Sequence, residues 1–321
     1  MLTRNYFFDN AKFVLIFLVV LGHALEGVKG YNALAIYKLI YLFHIPCFVF
    51  ILGVFYKSIN WCRIVQTIWI YLVFQALYCW FLIFVLKRPD TKLQFALPIW
   101  IMWFSLAMTV WQLSLPLILR IPFCIPIAFV IGIVVGYFDI FNYTFSASRV
   151  IVFLPFFLLG YFFGREPLKI INPLLAILVF IITFVILRFF ICIPVGFLYG
   201  SNSYERLSMG LDGGGFRMLL YIINLLLIVC FFALIPKERA WFSRLGERTL
   251  NIYLIHGFAI FYAKYLGLLQ AINTSLGVIV CVIGVFLLVI ILSSSPVAWL
   301  MDKITNPVGL FKKCRELIKA G

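Results

Sequence analysis

Lys12 and His23 stand eleven positions apart in one apolar run from Asp9 to Glu26, DNAKFVLIFLVVLGHALE. On a helix that interval is almost three turns, so the two side chains share a face with a rise of roughly 16 Å between them. Glu26 follows about one turn beyond the histidine and roughly 60° round the axis. Ionisable groups inside a membrane span are costly and face a cavity or a partner. Histidine exchanges protons near neutral pH, and Lys12 supplies a fixed positive charge. Asp9 is placed to pair with Lys12 at i,i+3. The chemistry of the chain is expected here.

The chain has three histidines, and His44 and His256 also fall in apolar runs. No H-x₃-H or HExxH spacing and no nearby carboxylate joins them, so a metal site is not expected. His44 stands in Phe43-His-Ile-Pro-Cys-Phe48, with Gly53 following. Pro46 should bend a helix there and free the carbonyl near Leu42, which suits either a pocket wall or a simple kink. The stretch from Trp100 to Trp111, WIMWFSLAMTVW, reads as an interfacial belt or as a stacking surface for a sugar or an adenine. Ser105 has nothing beside it in sequence to activate it as a nucleophile. Arg188, within a span, reads either as snorkelling or as lining the cavity.

The elements that must position these residues follow from composition. Of 321 residues, 65% are hydrophobic and 12% charged, and the mean hydropathy is +1.13. That balance specifies an all-α polytopic transmembrane bundle and excludes a large soluble domain. About ten spans are expected, at 12–28, 34–56, 64–86, 97–119, 121–138, 150–164, 174–196, 218–235, 249–268 and 276–300. The first is expected to be retained rather than cleaved as a signal peptide. With the N-terminus inside, cations favour the inner segments by roughly two to one, so both termini are expected in the cytoplasm of a plasma-membrane protein. Residues 1–302 then form the membrane domain and 303–321 a basic tail lying on the inner leaflet. The net charge of +15 is spread over the connections, which argues for lipid headgroups rather than nucleic acid. Eight scattered cysteines form no CxxC pair and are expected to pack as small hydrophobes. The longest outer connection, 197–217, holds a glycine-rich stretch, Gly210 to Gly215. It is expected to be a flexible loop beside a substrate entrance. No convincing internal repeat is visible.

Taken together, these segments resemble the acyltransferase-3 family of membrane acyltransferases, in particular the sugar O-acetylases that include fucose-4-O-acetylase-like proteins. D-x-x-K-x₁₀-H is similar to that family's R-x₁₀-H signature, and Phe43 to Gly53 to its F-H-x-P-x-F…S-G segment. Trp103-Phe104, Leu154-Pro155-Phe156-Phe157-x-x-Gly160 and Leu245-Gly246…Tyr253-Leu254-Ile255-His256 resemble its later landmarks, in order. The resemblance implies transfer of an acetyl group from acetyl-CoA to a hydroxyl of a cell-surface polysaccharide, glycolipid or lipid-linked sugar. A hydroxyl becomes a good nucleophile once a base takes its proton, so His23 is the implied base. Glu26 would orient the imidazole if it reaches the ring. Lys12, with Asp9, would hold a phosphate of the donor, and His44, Trp103 and His256 would line the substrate pocket. Two positions depart from the pattern. Lys12 replaces an arginine and lacks its planar fork, and Leu52 replaces a serine. A family member without activity is therefore one alternative. A transporter or flippase using intramembrane histidines is the other.

Overall fold

The computed structural model describes residues 6–141, 143–164, 171–190, 193–307 and 309. Among these there is no strand. The chain runs through α1 (Tyr6–Leu25), α2 (Tyr31–Phe55), α3 (Trp61–Trp80), α4 (Trp103–Ile118), α5 (Cys124–Val134), α6 (Ala147–Phe163) and α7 (Pro173–Phe189). A short α8 (Val195–Tyr199) leads to α9 (Gly213–Leu234), a single turn α10 (Ser243–Gly246), α11 (Thr249–Tyr265), α12 (Ser275–Leu292) and α13 (Ser295–Thr305). Local chemistry sets several starts. The side chains of Asn60, Asn172 and Thr274 accept the first free backbone N–H groups of α3, α7 and α12, and Pro173 opens α7 with its fixed φ.

Among the described residues, seven helices are long and apolar enough to cross a membrane, and the chain is a polytopic α-helical bundle. Each of the ten expected spans overlaps a helix, but α5, α7 and α11, at 11, 17 and 17 residues, are not among the seven, and two spans are interrupted. The span expected at 174–196 stops at Phe189, and α8 follows as a separate piece. The span expected at 276–300 is broken at Ser293 and Ser294, where Pro296 in the first turn of α13 cannot continue α12. Of the expected basic tail, Lys303 to Thr305 belong to α13, and the residues beyond 307 other than Gly309 lie outside the described residues. Among the described cysteines, Cys47, Cys79, Cys124, Cys230 and Cys281 are buried thiols and Cys62 is exposed.

The bundle is wound around α1, which packs against α2, α10, α11 and α12. Asn10 ties the entrance of α1 to the connection after α9. Its amide donates to the carbonyls of Pro236 (3.0 Å) and Glu238 (2.9 Å) and accepts from Ser243 Oγ (2.6 Å). The closest helix pair is α2 with α6. A Cβ on Gly160 would lie 1.9 Å from the Phe50 carbonyl oxygen, and one on Gly53 would lie 2.1 Å from that of Phe157. Reciprocal glycines let two backbones touch where lipid offers no hydrophobic drive to association. Pro46 frees the Leu42 carbonyl, and Asn224 Nδ2 of α9 donates to that oxygen. The kink therefore leaves no unsatisfied group in hydrocarbon.

The 197–217 connection is built rather than floppy. Tyr204 is buried, its N–H donates to Gly136 O (2.7 Å) and its hydroxyl to Ile133 O (2.7 Å). Its ring fills the space where a Cβ on Gly213 would stand. Of the glycines expected to give a loop, Gly210 opens a short 3-10 turn and Gly213, Gly214 and Gly215 begin α9, where a larger residue at 213 would displace Tyr204. Arg206 grips Asp139 with two nitrogens at 2.6 Å, and Ser203 Oγ donates to the same carboxylate at 2.8 Å. These donors hold the Asp139 carboxyl below its ordinary value.

Three outcomes are expected. Asn224→Leu should destabilise the bundle by about 1–2 kcal/mol through the orphaned Leu42 carbonyl, read by denaturant unfolding in lipid. Gly160→Ala should cost about 3 kcal/mol or more, since neither contacting backbone can yield. A lowered carboxyl stabilises the fold above its unfolded value, near pH 4, and that contribution is lost as pH falls through the lower folded value. Hydrogen exchange at 203–209 should accordingly rise on acidification in wild type but show no such transition in Asp139→Asn.

Candidate functional site

On α1, Lys12, Ile16, Val19 and His23 recur at the spacing of one helical face, and all four line a cavity of about 270 Å³. Phe48 and Leu52 of α2, Phe104 and Met108 of α4, and Leu250 and Tyr253 of α11 form the other walls. The cavity is apolar along its length, with Lys12 and His23 both on its wall. Lys12 Nζ lies 2.8 Å from Asp9 and over the ring of Phe55.

The histidine end is crowded with aromatic rings. His256 stacks on His23 with centroids 5.5 Å apart and planes 17° from parallel, and Trp100 lies 4.3 Å away. Trp100 adopts a left-handed φ of 43°, a strained conformation for a bulky residue. That conformation presents its indole to His23 on one side and to Phe261, at 4.4 Å, on the other. The Tyr41 hydroxyl lies 3.0 Å from His23 Nδ1. Gly22 permits this approach, since a Cβ there would press on Tyr41 at 3.1 Å. His44 is buried against the Tyr41 ring at 4.7 Å, and its Nδ1–H donates to Ile40 O at 2.7 Å. His256 likewise donates from Nδ1 to Ile252 O at 2.8 Å, and its buried Nε2 has no partner.

The three sequence-predicted histidines thus converge, with His23 on the cavity wall and the others packed behind it. Glu26 does not reach the imidazole. Its carboxylate accepts from Tyr199 (3.1 Å) and pairs with Lys264 (2.6 Å), whose ammonium lies over Trp100. The reason is its place beyond the last turn of α1, which turns the carboxylate towards α8 and α11. Trp103 is absent from the cavity wall; its ring lies 5.0 Å from the Arg149 guanidinium and packs on Phe153. Trp111 is wholly buried and donates from Nε1 to Val150 O at 2.8 Å, a structural role. Arg188 stays away from the cavity, donating to Asn32 and lying over Tyr31 and Phe189. Among the described residues no three His, Cys, Asp or Glu side chains are grouped to hold a metal ion.

A family model described as an acyltransferase domain matches residues 5–294. The chain belongs to the acyltransferase-3 family. No curated protein and no solved structure matches it. Membership makes the protein a membrane acyltransferase, and the family-like segments divide by role. Gly53, Pro46 and Gly160 close the α2–α6–α9 contact, and Gly246 sits where a Cβ would strike the Asp9 carbonyl at 1.9 Å. Lys12, His23 and Tyr253 line the cavity.

The sequence offered Trp100 only as part of a belt or stacking surface and gave no role to Tyr37, Tyr41, Arg149, Tyr199 and Lys264. A signal existed for two of them, because Tyr37, Tyr41 and His44 recur at i, i+4 and i+7 on α2. Arg149 had none. It lies between Trp103 and Tyr143 (5.2 Å), its Nε is buried without an acceptor, and no described carboxylate pairs with it. A cation so placed stabilises a fold poorly. Arg149→Met should therefore leave stability unchanged or raise it by about 1 kcal/mol while lowering acyl transfer. A clear loss of thermal stability would make Arg149 a structural residue instead.

Proposed function

We propose that the protein, in a plasma membrane with both termini cytoplasmic, transfers an acetyl group from acetyl-CoA to a sugar hydroxyl of a cell-surface polysaccharide, glycolipid or lipid-linked precursor. The observation that carries this reading is one apolar cavity with Lys12 and His23 on its wall. Donors of this type have an anionic head and a long flexible arm ending in a thioester. Lys12 would hold a donor phosphate, with Asp9 fixing the ammonium, and the arm would lie along the Ile16–Val19 face to bring the thioester to His23. The rise of roughly 16 Å between the two residues suits such an extended arm.

In the reaction, His23 Nε2 takes the proton of the acceptor hydroxyl as its oxygen attacks the thioester carbonyl carbon. The C–S bond breaks, and the departing thiolate receives the proton back from the imidazole. The sum is ester plus thiol, with no net proton gained or lost. An apolar wall keeps water from competing for the thioester. Family membership weighs against the transporter or flippase reading of the intramembrane histidines.

The test uses the full chain in lipid nanodiscs with radiolabelled acetyl-CoA and a panel of sugar acceptors. Lys12→Ala should weaken donor binding about tenfold or more, the scale of one lost charge-assisted contact. His23→Ala should bind donor normally and lose transfer by roughly 100-fold or more. Met108→Trp, which fills the cavity, should weaken donor binding without unfolding the bundle. Full transfer by His23→Ala would end the base assignment; absence of donor binding in wild type would end the acetyl-CoA reading.

A further inference from the structure

Lys12 stands near the start of α1, and at the opposite end of the bundle lies a cation that the proposed reaction leaves unused. Arg149 is the third residue of α6, whose first turn carries no acidic residue and whose N-cap, Ser146, makes no side-chain bond to the free N–H groups. A helix start is the positive end of its dipole, so it favours an anion and disfavours a cation. Here it carries a guanidinium. That guanidinium lies over the rings of Trp103 at 5.0 Å and Tyr143 at 5.2 Å. Its Nε is buried without an acceptor, although the residue as a whole is only half-buried. Ring faces attract the charge but leave this N–H unmatched.

The other cations at this end are matched. Arg206 holds Asp139, Lys264 holds Glu26, and the buried Arg217 donates to Phe197 O at 2.9 Å. Two contacts place Arg149 beside the site. Its neighbour Ser148 donates from Oγ to Gly200 O at 2.7 Å, next to Tyr199, whose ring lies 5.4 Å from that of Tyr41. Tyr41 in turn meets His23. On the other side Trp103 meets Phe104 of the cavity wall edge-on at 5.6 Å. The backbone leading into α6 is strained, with Phe145 and Ser146 at consecutive left-handed φ values of 51° and 52°. The Phe145 N–H holds it by donating to Ala96 O at 2.6 Å. Beside the guanidinium, Phe138, Ile140, Phe141, Tyr143 and Phe145 leave an exposed apolar surface.

We infer that Arg149, with the start of α6, binds a phosphate of the acceptor, which is therefore a sugar joined to a lipid through that phosphate. The inference deepens the proposed function and rests on it for the sugar and the acetyl group; the phosphate contact can be tested alone. A guanidinium offers parallel N–H donors that match phosphate oxygens in pairs, and the uncapped helix start adds further donors of the same sign. The exposed apolar surface decides between kinds of anion. A carboxylate on a free sugar would arrive from water and leave that surface uncovered, whereas a lipid chain lies against it and delivers its own phosphate to the cation. The two substrates would then be held by their phosphates at opposite ends of the site, the donor at Lys12 and the acceptor at Arg149.

The experiment measures binding of radiolabelled farnesyl phosphate, and of farnesol as the uncharged control, to the full chain in phosphatidylcholine nanodiscs. Uptake by empty nanodiscs is subtracted, and no acetyl-CoA is present. Wild type should bind farnesyl phosphate about tenfold or more tightly than farnesol, the scale of one charge-assisted contact. Arg149→Met should abolish that preference, and Arg149→Lys, which keeps the charge without the fork, should retain part of it. His23→Ala should bind farnesyl phosphate as wild type does, and acetyl-CoA binding should be the same in wild type and both Arg149 variants. With sugars presented as farnesyl phosphate esters, Arg149→Met should raise the acceptor KM about tenfold or more and leave the donor KM unchanged. Equal binding of farnesyl phosphate and farnesol, or a preference that survives in Arg149→Met, would overturn the inference. So would displacement of farnesyl phosphate by phosphatidylglycerol at equal concentration, since Arg149 would then hold any lipid phosphate. Arg149-dependent binding of farnesyl phosphate by a protein that binds no acetyl-CoA would uphold the phosphate site and overturn the donor reading instead.

Discussion

Hydrocarbon offers no water to a polar atom, and that constraint decides how this bundle is held. Every buried donor or acceptor must find a protein partner or remain costly. The helices answer with side chains that reach across to a neighbour's backbone. Asn224 donates to Leu42, Tyr221 to Val152, Tyr78 to Leu254 and Trp111 to Val150. These bonds fix depth and rotation of one helix against another, which apolar packing alone would leave loose. Against that background the exceptions stand out. Of the five buried side-chain atoms without a partner among the described residues, His256 Nε2 belongs to the residue stacked on His23, and Arg149 Nε to the guanidinium between Trp103 and Tyr143. Ser105 Oγ belongs to the residue whose N–H meets the Tyr253 hydroxyl on the cavity side.

The second determinant is how close two helices may come. Gly53 and Gly160 bring α2 against α6, and Gly246 brings the α10 turn against α1. These contacts set the positions of the helices that carry His44, Tyr41 and His256, and they hold α1 in the centre of the bundle. Short segments that resemble a catalytic signature are therefore of two kinds. Some line the cavity, and others are the small residues that let the helices around it approach. Trp100 joins the two kinds, since a strained backbone conformation is maintained only because packing on Phe261 and His23 holds it.

The sequence alone determined the solvent of this protein and much of its plan. Hydropathy specified an α-helical membrane bundle, because lipid admits only elements that satisfy their own backbones. Helical periodicity put Lys12 and His23 on one face, and the ordered short segments pointed to a family. Tertiary structure decided the rest. Glu26 is near His23 in sequence, yet it turns to Tyr199 and Lys264, which are distant along the chain and brought near by α8 and α11. The glycines of 210–215 read as a loop, yet Gly213 starts α9 with the Tyr204 ring in its Cβ space and Gly214 follows against Tyr137. Arg149 and Trp100 acquire meaning only from neighbours on other helices. Periodicity is a property of one helix and is written locally; the partners across a helix interface depend on depth, rotation and closest approach, which emerge only when all the helices pack at once.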